Sequence, residues 1–151
     1  MNSVALVEFE PRFAAALIPM WRQSFEHGVG VVDPHTIAEQ HRYFENEVLP
    51  KNAVRVALRA GAVEGFVAAT PESISQLYVR VGSIGQGIGA RLLAWAKEQS
   101  SGHLWLYTFA QNTNARRFYE RHGFRVMAHG YEPTWQLPDV KYAWDRSQGA
   151  S

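Results

Sequence analysis

Glycine stands at alternate positions, 85, 87 and 89, between the strand-like run Leu77-Tyr78-Val79 and a stripe of Ile88, Leu92, Trp95 and Ala96 at helical spacing. Few folds accommodate this. The backbone must turn tightly, in conformations glycine adopts freely, and pass from strand to helix within a few residues. Successive N–H groups are then exposed at a helix N-terminus, where partial positive charge accumulates, so Ile84-Gly85-Gln86-Gly87-Ile88-Gly89-Ala90 is a candidate cradle for a diphosphate. A turn that merely packs helix on sheet satisfies the same letters. The run also fits an alanine-ended dinucleotide fingerprint, but the strand that should then end in a ribose-binding acid ends in Tyr107-Thr108-Phe109-Ala110. No Lys-Ser or Lys-Thr follows the glycines, which excludes a P-loop.

A chain of 151 residues has the length of one domain, read here as 1–146 with a polar tail over 147–151. Its 46% hydrophobic and 19% charged content gives enough apolar surface to offset chain entropy, which excludes a disordered polymer. The net charge of +1 has no basic block behind it, so nucleic acid is not an expected partner. The chain has no cysteine, which rules out disulfides and a thiol nucleophile and suits a reducing cytoplasm. The longest apolar run, Phe13 to Trp21, is nine residues and contains Pro19, too short to cross a bilayer, and Met1 to Glu10 lacks a signal-like pattern. Six histidines show no metal-ligand spacing, so no metal is expected.

The remaining patterns predict a strand over Val4–Glu10, then a helix from Pro11 that kinks or restarts at Pro19. Gly28, Gly30 and Pro34 mark a loop, and Asp33 is placed to cap a helix from Pro34 to about Val48. Strand-like runs follow at 53–59, 63–69 and 74–81, the first two joined through Ala60-Gly61-Ala62. After the glycine loop and its helix, Leu104–Phe109 reads as a strand covered on both faces. A helix from Asn112 or Thr113 to His122 stops at Gly123, and closing strands are expected at 124–128 and 140–144. The order is that of an α+β, mixed α/β chain built on one central sheet.

Two segments carry a family resemblance. Leu77 to Leu93 resembles the coenzyme pyrophosphate loop and helix of the GNAT superfamily of acyl-CoA-dependent N-acyltransferases. Asn112-Thr113-Asn114-Ala115-Arg116-Arg117-Phe118-Tyr119-Glu120-Arg121-His122-Gly123-Phe124 resembles the helix on the pantetheine side. The resemblance implies a GNAT-like mixed sheet of about six to seven strands with helices on both faces. It also implies acetyl transfer from acetyl-CoA to a small-molecule or peptide primary amine, by direct attack in a ternary complex; the alternative is a non-catalytic acyl-CoA-binding or sensory domain. Relatives are often dimers.

Carried onto this chain, Ile84, Gly85, Gln86, Gly87, Ile88, Gly89 and Ala90 hold the diphosphate. The edge of Leu77, Tyr78 and Val79 pairs with the pantetheine arm, and a main-chain N–H near Val79 polarises the thioester. Asn112 binds the arm from the other side, Ala115 leaves room for it, and Tyr119 is the candidate acid for the departing thiolate. Two departures matter. The family usually opens the loop with Gln or Arg where this chain has Ile84, and its usual glutamate on the preceding strand is missing from Ser73-Ile74-Ser75-Gln76. Glu72 at the strand entrance and His27 in the neighbouring loop are the candidate bases, with a water relay as a further route. Trp135, with Tyr131 and Glu132 between the closing strands, is a candidate for shaping an acceptor pocket.

Overall fold

The computed structural model describes residues 3–149; residues 1–2 and 150–151, including the end of the expected tail, lie outside the described residues. Four antiparallel strands, β1 (Ala5–Glu8), β2 (Ala53–Arg59), β3 (Ala62–Ala69) and β4 (Ile74–Val79), form one sheet in the order β1-β2-β3-β4. Three more, β5 (His103–Phe109), β6 (Arg125–Glu132) and β7 (Leu137–Asp145), form a second in the order β5-β7-β6. The two meet at a parallel bridge between Ser73 and Trp105, where the Trp105 N–H donates to the Glu72 carbonyl at 3.0 Å. The expected mixed sheet thus consists of two antiparallel halves that touch through one parallel contact.

Helices cover both faces. On one lie α1 (Ala14–Val29) and α2 (Ile37–Tyr43), where Leu17, Ile18 and Trp21 of α1 and Phe44, just past α2, pack on Val56 and Phe66. On the other lie α3 (Ile88–Gln99) and α4 (Thr113–Arg121), where Leu92, Leu93 and Tyr119 meet Val67, Leu104 and Tyr142. β3 serves both cores because alternate side chains point to opposite faces: Phe66 and Ala68 go to one, Val67 and Ala69 to the other, all fully buried. No described helix is long and apolar enough to cross a membrane.

Several local expectations are corrected. Pro19 does not break α1, which runs through it; the carbonyl that loses its donor belongs to Ala15, which is exposed and so open to solvation. Thr36, not Asp33, caps α2, in a reciprocal pair with Glu39 at 3.0 and 2.8 Å, because the Asp33 carboxylate is occupied by the His35 N–H at 2.9 Å. The helical chain then continues as a wider turn over Phe44–Val48. β5 is not covered on both faces: Leu104 and Leu106 are buried, but Tyr107 is 57% exposed, and β3 is the strand sandwiched between helices. The closing strands are longer than expected and form a hairpin whose turn lies at 133–136. Ala60 and Gly61, with φ of 52° and 81°, make the tight turn between β2 and β3.

Gly65 is where β3, β4 and α3 come closest. A Cβ there would lie 2.7 Å from the Tyr78 carbonyl oxygen and 3.2 Å from Leu92 Cδ1. The first contact is rigid backbone, so Gly65→Ala is expected to lower the unfolding free energy by about 1–3 kcal/mol. Urea denaturation checks this; an unchanged midpoint would mean that β4 can move away from β3 without cost.

Candidate active site

Beyond the Ser73–Trp105 bridge, β4 and β5 part. A register shift against β3 leaves Ser75 as an extra residue between Ile74 and Gln76, and such bulges bend a strand and increase its twist. The space opened is about 130 Å3 and is lined by Gln76, Leu77, Leu106, Thr108, Ala115 and Tyr119, among others. The Arg80 N–H donates to the Glu64 carbonyl at 2.8 Å, which sets the alternation along β4. Tyr78 and Gln76 therefore bond back to β3, while the N–H and C=O of Leu77 and Val79 point into the gap, two residues apart on an unpaired edge.

On the side of α3 and α4 the gap opens into a cleft of about 580 Å3. The glycine loop forms one wall, with Gly85 and Gly87 at φ of 88° and 84° and Gly87 preceding the first turn of α3. Nothing lies within 4 Å of where a Cβ would stand at either position, so the loop backbone faces open space. Gly89 faces closer quarters: a Cβ there would lie 3.3 Å from the Phe118 ring of α4, which would have to give by a few tenths of an ångström. Arg117, Arg121, His122 and His27 also line the cleft, and among the described residues lining it none is Asp or Glu. It is a cationic groove beside a helix N-terminus, a setting that favours a polyanion.

The loop is fixed from beneath. Glu64, 4% exposed, accepts from Arg80 Nε at 2.8 Å and from the fully buried Ser83 hydroxyl at 2.6 Å, while Arg80 also donates to Ser83 at 2.7 Å. This closed triangle ties the turn that starts the loop to β3. The Arg80 guanidinium holds the Glu64 carboxyl below its ordinary range, against burial and with help from Ser83.

α4 forms the opposite wall. Asn112 caps it, its side-chain oxygen accepting from the Ala115 N–H at 3.2 Å, and its amide group lies against Gly28 of α1. Tyr119 borders both cleft and gap, and its hydroxyl has no hydrogen-bond partner among the described residues. Its ring is held by Phe118 and Phe124 at centroid distances of 5.2 and 5.5 Å. Burial, and then the nearby Tyr78, push the Tyr119 phenol well above its usual value. Burial also pushes Tyr78 up to about 12. Both phenols are therefore neutral O–H donors near pH 7.

On the side of α1 and α2 the gap opens into a second pocket of about 450 Å3, bordered by Phe25, Asp33, Glu39, Tyr107, Glu132 and Trp135. Gln76, Tyr78 and Glu132 border gap and pocket alike, so cleft, gap and pocket form one passage through the sheet.

Among the residues singled out from the sequence, Leu77, Tyr78, Val79, Ile84, Gly85, Gly87, Ile88, Gly89, Ala90, Asn112, Ala115 and Tyr119 are brought together around the cleft. The Gln86 side chain is not: its carbonyl oxygen accepts from Arg59 at 2.6 Å, outside the cleft. His27 lines the cleft rather than the second pocket, because α1 extends to Val29 and carries it to that side. Glu72 borders neither, since it sits at the bridge where β4 and β5 still touch. Arg116 donates to the Tyr142 hydroxyl at 3.0 Å. The Glu64–Arg80–Ser83 triangle was missed, having no signature in local spacing; Glu132 and Trp135 were found through their place between the closing strands, whereas Tyr131, read with them, lies exposed on β6 and does not border the pocket.

The comparisons with known proteins agree with this geometry. The sequence profile described as "Acetyltransferase (GNAT) domain" matches residues 50–126. A search of curated proteins gave no match. Among solved structures, the apo form of YjaB from Escherichia coli superimposes with a TM-score of 0.78 at 19% identity, covering 94% of this chain and 97% of that one. PaiA N-acetyltransferase from Thermoplasma acidophilum, solved in complex with coenzyme A, gives 0.77 at 18% identity, covering 95% and 99%. A GNAT-family acetyltransferase from Staphylococcus aureus gives 0.75 at 18% identity, covering 95% and 99%.

The Glu64–Arg80–Ser83 triangle yields a pH-dependent prediction. Because the Glu64 pKa is lowered on folding, its stabilisation is complete above the ordinary carboxylate value and is lost as pH falls through the lower folded value. Glu64→Gln keeps the shape without the charge, and is expected to lower unfolding free energy by about 2 kcal/mol at neutral pH. The difference from the parent should shrink toward zero as pH falls through the lowered folded value of Glu64. Urea denaturation at neutral and at acid pH tests this; equal stability at neutral pH would show that the triangle contributes nothing.

Proposed function

Because the chain belongs to the GNAT acetyltransferase family, we propose that it transfers the acetyl group of acetyl-CoA to a primary amine by direct attack in a ternary complex. The observation that carries this reading is the run of free main-chain groups at Leu77 and Val79, set between a cationic glycine-loop cleft and a second pocket.

The residues present fit acetyl-CoA. The amides of Gly85, Gly87 and Gly89 at the start of α3 would hold the diphosphate, with Arg117 and Arg121 supplying the charge that Ile84 does not. The exposed edge of Leu77 and Val79 would pair with the amides of the pantetheine arm as an added strand, with Ala115 leaving space opposite. When bound, the coenzyme supplies an activated acetyl group as a thioester.

The protein's part is to orient, to stabilise charge and to move two protons. A gap-facing N–H at Leu77 or Val79 donates to oxygen that gains negative charge as the amine adds. Tyr119, neutral and with a free hydroxyl bordering the gap, gives its proton to the departing sulfur. An ordinary amine is mostly protonated near neutrality, with a pKa of about 10, so a proton must also leave on the other side. Neither Glu72 nor His27 borders the second pocket; Glu132 borders both pocket and gap and is the carboxylate placed to take that proton, directly or through water. With no cysteine to carry an acyl group, both substrates are held at once. The absence of cysteine also favours a cytoplasmic setting.

Tyr119→Phe is expected to lower kcat by about a hundredfold, with the Kd for acetyl-CoA changed by less than about twofold, since the hydroxyl meets only the leaving sulfur. Thiol release and calorimetry measure the two quantities. Unchanged turnover would remove Tyr119 from the mechanism. The lack of a β4 glutamate favours a binding-only domain instead, and that reading prevails if acetyl-CoA binds but no amine releases thiol.

A further inference from the structure

The pocket on the α1 and α2 side is walled by rings. Trp21, Phe25, Tyr43, Tyr107, Phe109 and Trp135 surround it, together with Tyr78 at its inner end. The rings support one another: Trp135 lies 4.9 Å from Phe25 and 5.8 Å from the His35 imidazole, and Phe25 lies 6.1 Å from Phe109. Trp135 comes from the β6–β7 hairpin turn and is held there by its own N–H, which donates to Glu132 at 2.6 Å.

The carboxylates Asp33, Glu39 and Glu132 border this pocket, and among the described residues lining it none is Lys or Arg. His35 also lines it, and its Nδ1 lies 2.7 Å from the Asp33 carboxylate. Arg22 is committed to Gln40 at 3.1 Å, to Asp33 at 3.6 Å and to the His35 carbonyl. An anionic group entering here would meet carboxylates and no uncommitted Lys or Arg among the lining residues. The acids are also largely occupied: Asp33 by His35 and Arg22, Glu39 by Thr36 at 2.8 Å, and Glu132 by Trp135. What remains suits one ammonium on an apolar body better than a chain of several cations. Electron-rich ring faces add to the attraction for a cation, and their flat walls match an aromatic group.

We infer that the acceptor is an arylalkylamine, a primary ammonium on a short alkyl stem from an aromatic ring, with no carboxylate or phosphate. This rests on the acetyl-transfer reading above. The aromatic body fills the space beside Trp135 and Phe25, and the stem brings the ammonium to Glu132, Gln76 and Tyr78, where pocket and gap meet. An α-amino acid differs only by a carboxylate that finds no cation, and a linear polyamine brings extra charges that the occupied acids do not neutralise.

The test is a thiol-release assay with acetyl-CoA and 2-phenylethylamine, phenylalanine, spermidine or butylamine, paired with calorimetry of 2-phenylethylamine on the CoA-saturated protein. The expected result is calorimetric binding and a kcat/KM for 2-phenylethylamine about a hundredfold above that for phenylalanine and above that for spermidine. Trp135→Ala should raise its KM about tenfold, with kcat and acetyl-CoA affinity little changed, and Trp135→Phe should restore most of it. Faster turnover of phenylalanine or spermidine overturns this inference and leaves acetyl transfer standing. Binding of 2-phenylethylamine without thiol release from any amine supports the recognition and overturns the transfer. Neither binding nor turnover overturns both.

Discussion

The parting of β4 from β5 is the constraint on which the rest of the molecule depends. A sheet normally pairs every main-chain group, and an interior N–H or C=O without a partner is costly. Here two strands touch at Ser73 and Trp105 and then separate, leaving the groups of Leu77 and Val79 unpaired in the middle of the fold. The bulge at Ser75 turns β4 away, and α4, capped by Asn112, holds Tyr119 and Ala115 at the far side of the opening. Unpaired edge, cleft and pocket are thus consequences of one distortion. An extended, amide-bearing ligand satisfies the edge because its own amides supply what β5 withholds.

The passage through the sheet is polarised. Arg117 and Arg121 line one end and Asp33, Glu39 and Glu132 the other. A polyanion and a cation approaching from opposite faces would each be drawn to their own end and repelled from the other, an arrangement that favours the proposed ternary complex. The Glu64–Arg80–Ser83 triangle serves this arrangement by holding the loop main chain in place before anything binds, which lowers the ordering cost of binding.

How much of this was legible in the sequence depends on the range of the interactions involved. The glycine loop, the helix start at Asn112 or Thr113 and the stop at Gly123 are written within a few consecutive residues, and the structure has each where the spacing puts it. The misreadings involve contacts across the chain. Pro19 looks like a helix break until the exposure of Ala15 is known. Leu104–Phe109 looks covered on both faces because nothing local shows that Tyr107 borders an open pocket. Asp33 reads as a cap until Thr36 and Glu39 are seen to close on each other. The aromatic pocket draws rings from α1, α2, β4, β5 and the hairpin turn, segments more than a hundred residues apart, and only its last contributors, Glu132 and Trp135, were suggested by position.

The two tyrosines show why the acid and the base must come from different sides. Tyr78 and Tyr119 approach from β4 and α4, and burial keeps both protonated well above neutral pH. A group in that state can give a proton as negative charge develops beside it, but it cannot take one from an ammonium. The cleft offers no carboxylate among the described residues lining it, so acceptance of a proton there falls to no acidic side chain. In the proposed mechanism proton flow would therefore have a direction, off the amine toward Glu132 and onto sulfur from Tyr119. The task of the glutamate that β4 lacks would then pass to the hairpin that also carries Trp135.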